Sequence, residues 1–257
     1  METLDTPLRR LLPEPGMTTV GELVGELDPA AAAAADRPFV YTNFALTVDG
    51  RATIGGRSGP IGSAADTALL VGLRMRADAV MIGAGTLRAE GYGRVIRDPA
   101  KRAERESRGL APDPLVVLVS NRLELAWNAD LFTEGFGAVV IFTAADREPP
   151  PTATPVEVVR HPGRVDLARM LAELRADHGV RTLLCEGGPT LHGALLAAGL
   201  VDELFVTRAP RLAGGAGPGL VAGLEAGVRE LELISLCESA GELYARYRSP
   251  EAAVGRR

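Results

Sequence analysis

Short apolar runs recur along the chain, and each ends in glycine or in a polar residue. They read "AVMIGAG" from residue 79, "PLVVLVSN" from 114, "GAVVIFTA" from 137 and "VRTLLCEGG" from 180. A short, unbroken apolar run is typical of a strand that is buried on both faces, as in a parallel sheet. A β-rich run that begins at Phe39 adds a further strand. The pattern therefore predicts a buried, largely parallel sheet.

Helical patterns separate these runs. The stretch 63–78 begins with Ser63, a good N-cap, and has Asp66 at the third helical position, as in a capping box with Asp in place of Glu. The segment 165–179 is amphipathic, and 189–200 is a second helical segment directly after a strand. Buried strands that alternate with helices indicate an α/β fold.

The pattern changes towards both ends of the chain. From Val201 the residues alternate between apolar and polar, which predicts antiparallel strands at the C-terminal edge of the sheet. The charged, proline-bounded segment 97–114 is typical of an exposed loop with a possible helical turn. We therefore expect an N-terminal extension (1–37) with one short helix, a single domain (38–250) with a mixed, mostly parallel sheet flanked by helices, and a tail (251–257).

Composition narrows the class of protein. The chain has 257 residues, of which 46% are hydrophobic, and these values suit a globular protein. A net charge of -5 argues against a nucleic-acid partner. The two cysteines lack the spacing of a zinc site, and no apolar stretch approaches the ~20 residues that a membrane span requires. Because the acidic N-terminus is not a secretory signal, we expect a cytoplasmic protein.

Three predicted strand ends carry residues that suit a phosphate-bearing ligand. In open α/β sheets, ligands bind outside the carboxyl ends of the strands. "GAGT" offers bare backbone amides and a hydroxyl, and "SNR" offers a guanidinium that suits a 2′-phosphate such as that of NADP. "EGGPTL" places glycines at a helix N-terminus, where diphosphate oxygens bind. Each motif alone is equally well a turn, but the three together favour contact with a ligand.

The first buried strand ends in "TVDG", which has two interpretations. Asp49-Gly50 is a common hairpin turn. Alternatively, the Asp49 carboxylate holds the polar ring of a substrate, together with Thr42 and Asn43 of the same strand. The three histidines add little, although His192 follows "EGGPT" closely.

Longer stretches of the sequence resemble a known family. "VYTNFALTVDGRAT", "GSAAD", "MIGAGTLRAEGYGR" and "LLCEGGPTLHGALLAAGLVDELFVTRAPRLAGG" are similar, in order and spacing, to the reductase domain of bacterial riboflavin biosynthesis. That domain belongs to the dihydrofolate-reductase-like superfamily, and the likeness is greatest to its stand-alone actinobacterial pyrimidine reductases. It covers residues 38–248. The resemblance implies a dihydrofolate-reductase-like sheet, NADPH as hydride donor, no metal, and a homodimer.

The resemblance also implies roles for individual residues. Contacts to the cofactor's phosphates are expected from Gly83, Ala84, Gly85 and Thr86. The diphosphate and nicotinamide are expected against Glu186, Gly187, Gly188, Pro189, Thr190 and Leu191. The adenosine 2′-phosphate is expected at Ser120, Asn121 and Arg122. The substrate and nicotinamide end is expected at Asn43, Asp49 and Asp66, with Asp49 as the candidate for orienting a proton.

The implied substrate is a phosphoribosylamino-pyrimidine whose ribose is reduced to a ribityl chain. Two departures from the family concern the substrate side, because Asn43 stands where many members have Lys and "AEGYGR" (89–94) stands where they have "D-N-P". Residues 1–37 also lack the motifs of the deaminase domain found in bifunctional members. Two further functions stay open: dihydrofolate reduction, and nucleotide binding without catalysis.

Overall fold

A computed structural model describes residues 3–250, so the predicted tail at 251–257 lies outside the described residues. The strands, in chain order, are β1 (Pro7–Leu12), β2 (Gly16–Thr19), β3 (Phe39–Thr47), β4 (Ala79–Gly83), β5 (Leu115–Val119), β6 (Val139–Thr143), β7 (Val156–Arg160), β8 (Thr182–Cys185), β9 (Glu203–Ala209), β10 (Glu232–Ser239) and β11 (Glu242–Arg248). The helices are α1 (Val20–Gly25), α2 (Pro29–Ala32), α3 (Ala64–Arg74), α4 (Ala84–Glu90), α5 (Pro99–Ser107), α6 (Asp130–Thr133), α7 (Leu167–Ala176) and α8 (Pro189–Ala197).

All eleven strands form one sheet in the order β2-β1-β10-β11-β9-β3-β8-β4-β5-β6-β7. From β9 to β7 the neighbouring strands are parallel. From β2 to β9 they are antiparallel. This arrangement confirms the predicted mixed, mostly parallel sheet with antiparallel strands at one edge. Among the described residues, no helix combines the length and apolarity that crossing a membrane requires.

Both faces of the parallel half are covered, which explains its unbroken apolar runs. Alternate residues of a strand point to opposite faces. In β4, Val80 and Ile82 join the core under α1 and α3, whereas Ala79 and Met81 join the core under α7 and α8. All four side chains are fully buried. A strand that is buried on both faces does not alternate between apolar and polar residues, and the sequence pattern had predicted such strands.

The N-terminal segment continues the sheet. β1 pairs with β2 in a hairpin and with β10 on its other side, so that Arg9 lies opposite both Met17 and Glu238. Thr19 then caps α1, and the Glu22 carboxylate accepts a bond from the Thr19 amide in a complete capping box. The expected short helix is therefore present, but the sequence analysis predicted no strand before it.

The segment 97–114 corrects a second expectation, since it contains a nine-residue helix, α5. Asp98 caps its start, and Arg105 in its last turn is fully buried. The Arg105 guanidinium donates to the backbone carbonyls of Arg74 and Ala77, at 2.7 and 2.9 Å. The Arg74 carbonyl ends α3, where carbonyl acceptors are available to side-chain donors, and the Ala77 carbonyl lies in the segment that follows the helix. One arginine thus connects this charged segment to the core.

Candidate active site

A cavity of about 750 Å³ opens where β3, β8, β4 and β5 present their carboxyl ends. Residues from all three predicted strand-end loops line it. Of the residues predicted from the sequence, the cavity is lined by Asn43, Asp66, Gly83, Ala84, Gly85, Thr86, Asn121, Glu186, Gly188, Pro189, Thr190 and Leu191. The remaining four lie outside its lining: Asp49, Ser120, Arg122 and Gly187.

The two glycine loops pack directly against each other. The Gly83 amide donates to the Gly187 carbonyl at 2.7 Å, and the Gly187–Gly188 peptide is cis. Gly187 has φ +96°, and a Cβ there would come within 3.0 Å of the Phe44 ring. A Cβ at Gly188 would come within 2.9 Å of the Thr86 hydroxyl. Gly187 is therefore required by its positive φ and by the Phe44 ring of β3, and Gly188 by the contact between the two loops.

Gly85 differs from these glycines because nothing in the protein crowds it. An added Cβ would find no atom within 4 Å, and the φ of Gly85 is not positive. Gly85 lies in the first turn of α4 and lines the cavity together with Thr86. Its bare backbone therefore leaves open space on the cavity side, which a ligand can occupy.

Glu186, at the exit of β8, is held by an ion pair that the sequence analysis missed. The Arg74 guanidinium donates to both Glu186 carboxylate oxygens, each at 2.6 Å, and the Tyr92 hydroxyl donates to one of them at 2.6 Å. The Glu186 side chain is only 4% exposed. Burial raises the pKa of Tyr92, and the nearby carboxylate raises it further, so Tyr92 stays a donor. The Glu186 carboxylate anchors the glycine loop through these bonds.

Asp66 lies on another wall of the cavity and lacks such partners. Ser63 caps α3 as predicted and accepts from the Ala65 amide at 3.1 Å, but the Asp66 carboxylate makes no reciprocal bond to the cap. It lies over Gly62 instead, where a Cβ would be 2.1 Å from Asp66 Oδ2. Asp66 Oδ1 is buried without a hydrogen-bond partner. Burial raises the pKa of Asp66 to about 6; the nearby Thr207 hydroxyl opposes the rise, and the charge of Glu242 adds to it.

Asp49, the predicted proton-orienting residue, belongs to a neighbouring loop. Its carboxylate accepts from the Thr47 hydroxyl at 2.6 Å and from the amides of Ala213 and Gly214 at 3.1 and 2.8 Å. The Thr47 hydroxyl, followed by these amides, lowers the pKa of Asp49 to about 2. The carboxylate thus holds the "PRLAGG" segment in place and stays ionised at neutral pH.

The end of β3 supplies an amide and an aromatic ring. Asn43 is buried, and its Oδ1 has no hydrogen-bond partner within the described part of the chain. The next side chain, Phe44, stacks on His192 with ring centroids 4.5 Å apart. His192 Nδ1 lies 3.1 Å from the Leu220 carbonyl, and burial lowers the pKa of His192 to about 4. His192 is therefore neutral, and it packs behind Phe44, whose side chain lines the cavity.

The three residues of the "SNR" loop have three different environments. Ser120 is buried, and its amide donates to the Phe142 carbonyl at 3.0 Å. The Arg122 side chain is 79% exposed and lies 3.9 Å from the Glu124 carboxylate. Only Asn121 reaches the cavity, and the guanidinium beside it there is that of Arg164, from the loop between β7 and α7.

A second cavity of about 480 Å³ adjoins the first and has a basic lining. The two share Ser58, Thr67, Leu70, Glu90 and Tyr92. The second cavity adds the carboxylate of Asp98 and four basic residues, Arg74, Arg94, Arg97 and Lys101. Arg74 is already bound to Glu186 and Arg94 to Asp113, each at 2.6 Å. The guanidinium of Arg97 and the ammonium of Lys101 therefore remain to attract an anion.

Three site residues were missed by the sequence analysis. Arg74 lies in the last turn of α3, where a basic residue is ordinary, and Arg164 follows a Pro-Gly turn. Neither position carries a pattern that separates it from a surface arginine. Tyr92 belongs to "AEGYGR", a stretch that departs from the family pattern. The departure drew attention to this stretch, but it did not indicate that Tyr92 contacts Glu186.

Comparisons with known proteins agree with this architecture. A curated relative, the 2,5-diamino-6-ribosylamino-4(3H)-pyrimidinone 5′-phosphate reductase of Archaeoglobus fulgidus, is 32% identical over 70% of this chain and 83% of its own length. The crystal structure of a pyrimidine reductase-like protein from Corynebacterium diphtheriae is 25% identical and has a TM-score of 0.77, over 90% of this chain and 99% of that chain.

A bifunctional diaminohydroxyphosphoribosylaminopyrimidine deaminase/5-amino-6-(5-phosphoribosylamino)uracil reductase from Thermotoga maritima shares the fold. It is 20% identical, with a TM-score of 0.67 over 83% of this chain and 57% of that chain. The family model described as the RibD C-terminal domain matches residues 38–244. This chain therefore belongs to the RibD C-terminal domain family, as the sequence motifs had indicated.

Proposed function

We propose that this protein is an NADPH-dependent reductase that converts the ribosyl group of a phosphoribosylamino-pyrimidine of riboflavin biosynthesis into a ribityl chain. One observation carries the proposal. A single cavity runs along the carboxyl ends of four parallel strands, with glycine backbone in its middle, Asn43 and Asp66 near β3, and Arg164 beyond β5. The name of the Archaeoglobus relative, a ribosylamino-pyrimidinone 5′-phosphate reductase, supports the same substrate class.

The glycine loops suit a dinucleotide. Gly85 leaves open space on the cavity side, and Gly188 caps α8 without a side chain. Backbone amides at the start of a helix attract phosphate oxygens. The residues that would hold the diphosphate are Gly83, Ala84, Gly85, Thr86, Gly188, Pro189, Thr190 and Leu191. NADPH, when bound, supplies a hydride, and the protein positions donor and acceptor.

The other end of the cavity suits an aminopyrimidine ring. A carboxylate and an amide together can bind the alternating donors and acceptors of such a ring. Asp66 and Asn43 each have a buried oxygen without a partner, and both line the cavity. With its pKa raised to about 6, Asp66 can hold or release a proton near neutral pH. We therefore assign to Asp66 the proton-handling role that the sequence analysis gave to Asp49.

The basic second cavity suits the substrate's 5′-phosphate. It adjoins the ring-binding end and shares Thr67 and Tyr92 with it. Arg97 and Lys101 would bind the phosphate, because ammonium and guanidinium groups form strong hydrogen bonds to phosphate oxygens. This division, with the ring in the first cavity and the phosphate in the second, distinguishes a phosphorylated pyrimidine from an unphosphorylated pterin.

The deciding experiment follows oxidation of NADPH by absorbance with purified protein and two substrates. We expect turnover of the phosphoribosylamino-pyrimidine, and turnover of dihydrofolate alone would overturn the assignment. Asp66 and Asn43 would also bind the pterin ring, which keeps dihydrofolate reduction as the second candidate. Binding of NADPH without turnover of either compound would instead support the third, a non-catalytic nucleotide-binding protein.

Variants of the second cavity separate the two substrates further. Arg97→Ala and Lys101→Ala should each raise KM for the phosphorylated pyrimidine by about tenfold, because each removes one charge-assisted bond. Neither should change KM for dihydrofolate. Arg88→Ala is the matched control, since Arg88 is exposed on α4 and lines neither cavity. An equal rise in KM for Arg88→Ala would show a general effect of charge instead of a phosphate site.

We also propose a homodimer. Its support is the number of apolar side chains that the antiparallel strands expose, among them Leu12, Leu233 and Leu243. Exposed apolar side chains on neighbouring strands are typical of a surface that another protein covers. Sedimentation equilibrium tests this directly, with Leu243→Glu expected to give a monomer.

A further inference from the structure

The ionisable side chains that line the main cavity are distributed unevenly. Its acids, Asp66, Glu90 and Glu186, come from helices and strand ends around β3, β8 and β4. Among the described residues, Arg164 is the one arginine or lysine in its lining. Strands in a sheet lie about 4.8 Å apart, so β3 and β5, three intervals away from each other, are separated by about 14 Å. The cavity therefore has an acidic end and a distant cationic end.

The fold fixes the turn that carries Arg164. β7 ends at Arg160, and the His161 amide donates to the Thr143 carbonyl of β6 at 2.8 Å. The His161 Nδ1 accepts from the Asp166 amide at 3.1 Å, and its Nε2 lies 2.9 Å from a Glu173 carboxylate oxygen on α7. The His161 ring, which is buried, thus ties the end of β7 to the start of α7.

Asn121 fastens the same turn from the cavity side. Its side-chain oxygen accepts from the Val165 amide at 2.8 Å. Because this bond uses the oxygen, the Asn121 Nδ2 group remains a donor. Gly163, with φ +73°, lets the chain turn directly before Arg164. Asn121 and Arg164 are therefore held side by side at the cationic end of the cavity.

Arg164 is unusual among the nearby arginines in having no acidic partner. Arg160 pairs with Glu148 at 2.6 Å, and Arg169 pairs with Glu173 at 2.7 Å. Within the described residues, the Arg164 side chain makes no hydrogen bond or ion pair, and it lies at the surface of the cavity. A guanidinium that is positioned but unpaired attracts a phosphate, whose oxygens match its planar donors.

We propose that Arg164, with the Asn121 Nδ2 group, binds the 2′-phosphate of the adenosine ribose and so selects NADPH over NADH. The inference rests on the proposed function, since it assumes a dinucleotide in the cavity. Arg164 takes the role that the sequence analysis gave to Arg122. The Arg122 side chain lies near Glu124, and Arg122 is outside the cavity lining. The nicotinamide then lies towards the acidic end, where Asp66 and Asn43 line the cavity.

Isothermal titration calorimetry of NADPH and NADH with wild type, Arg164→Ala, Arg164→Lys and Arg122→Ala tests the proposal without turnover. The Arg164→Ala variant should bind NADPH roughly ten- to a hundredfold more weakly than wild type, because it loses a charge-assisted hydrogen bond. Its affinity for NADH should be unchanged. Arg164→Lys should restore part of the preference, because the charge is kept but the planar fork is lost. Adenosine 2′,5′-bisphosphate, compared with AMP, should show the same loss in Arg164→Ala.

Four results would overturn the role of Arg164, and one of them would overturn the proposed function as well. The first is a preference for NADPH that falls in Arg122→Ala but not in Arg164→Ala. The second is an equal loss of NADPH and NADH affinity in Arg164→Ala, which would mark a collapsed turn. The third is a wild-type protein that binds neither dinucleotide, and that result would overturn the proposed function as well. Binding of both dinucleotides by every variant, with unchanged preference, would overturn only the role of Arg164.

Discussion

Two buried carboxylates on different walls of the same cavity differ in their hydrogen-bond partners. On the β8 wall, Glu186 is buried but receives three hydrogen bonds, two from Arg74 and one from Tyr92. On the α3 wall, Asp66 has a buried oxygen with no partner and a raised pKa of about 6. Burial alone therefore does not tell what a carboxylate does. The partners decide: Glu186 stabilises the loop, and Asp66 remains available to a ligand.

The largest effect is expected on the Glu186 wall. Glu186→Gln removes the charge that compensates Arg74 and should lower the free energy of unfolding by about 3–5 kcal/mol, the cost of an unpaired buried charge. Urea unfolding gives the value, provided that the slope of the transition is unchanged. Glu104→Gln is the matched control, because the Arg108–Glu104 pair has the same 2.6 Å separation but is 42% and 38% exposed. A similar loss in both variants would break the contrast.

A smaller effect, on activity instead of stability, is expected on the Asp66 wall. Asp66→Asn keeps the shape of the side chain but cannot exchange a proton, so kcat/KM should fall about a hundredfold. NADPH affinity, measured by calorimetry, should change little, because the glycines that we propose to bind the phosphates lie on other walls. Full activity in Asp66→Asn would show that a group other than Asp66 handles the proton.

The same variant should change the pH dependence of stability. The folded pKa of Asp66 is raised from 3.8 to about 6, so the folded protein holds a proton that the unfolded chain has released at intermediate pH. The stability from this proton is complete below about pH 4 and is lost as the pH rises through about 6. Asp66→Asn should thus be more stable than wild type at pH 8, by about 3 kcal/mol, and this difference should vanish below about pH 4.

Asp49 provides the smallest and most local test. It is exposed, but the Thr47 hydroxyl and two backbone amides satisfy its carboxylate and lower its pKa to about 2. Its contribution is present above about pH 4 and is lost as the pH falls towards 2. Asp49→Asn should speed hydrogen exchange at the Ala213 and Gly214 amides without altering exchange in β4. Unchanged exchange at both amides would show that the carboxylate does not hold this loop.

Much of the fold was accessible from the sequence because the signals were local. Four of the parallel strands, β4, β5, β6 and β8, lie within segments predicted from apolar runs, whereas the parallel strand β7 was not predicted. β1 and β2 were missed because a short hairpin with mixed residues becomes a strand pair only beside β10. α5 was missed because its burial depends on Arg105, which reaches carbonyls of another helix.

The site was predictable to the extent that glycine marks it. The loops at Gly83 and Gly188 both line the cavity, and bare backbone at a strand end is visible in one sequence. Contacts between distant residues were not visible. The Arg74 side chain meets Glu186 across 112 positions of sequence, and no local pattern announces such a pair. Which arginine, Arg122 or Arg164, lines the cavity likewise depends on the positions of two loops in the folded protein, which the sequence does not give.

The pairing of β1 with β10 also constrains how the chain is made. Arg9 binds Glu238, which lies 229 positions later in the sequence. The central strand β3 is flanked by β8 and β9, and β9 begins only at Glu203. On the ribosome, the first strands therefore emerge long before their neighbours exist, and their edges stay unpaired until nearly the whole chain has been translated. The sheet can therefore close only after β9, β10 and β11 have been translated, and it cannot be built strand by strand from the N-terminus.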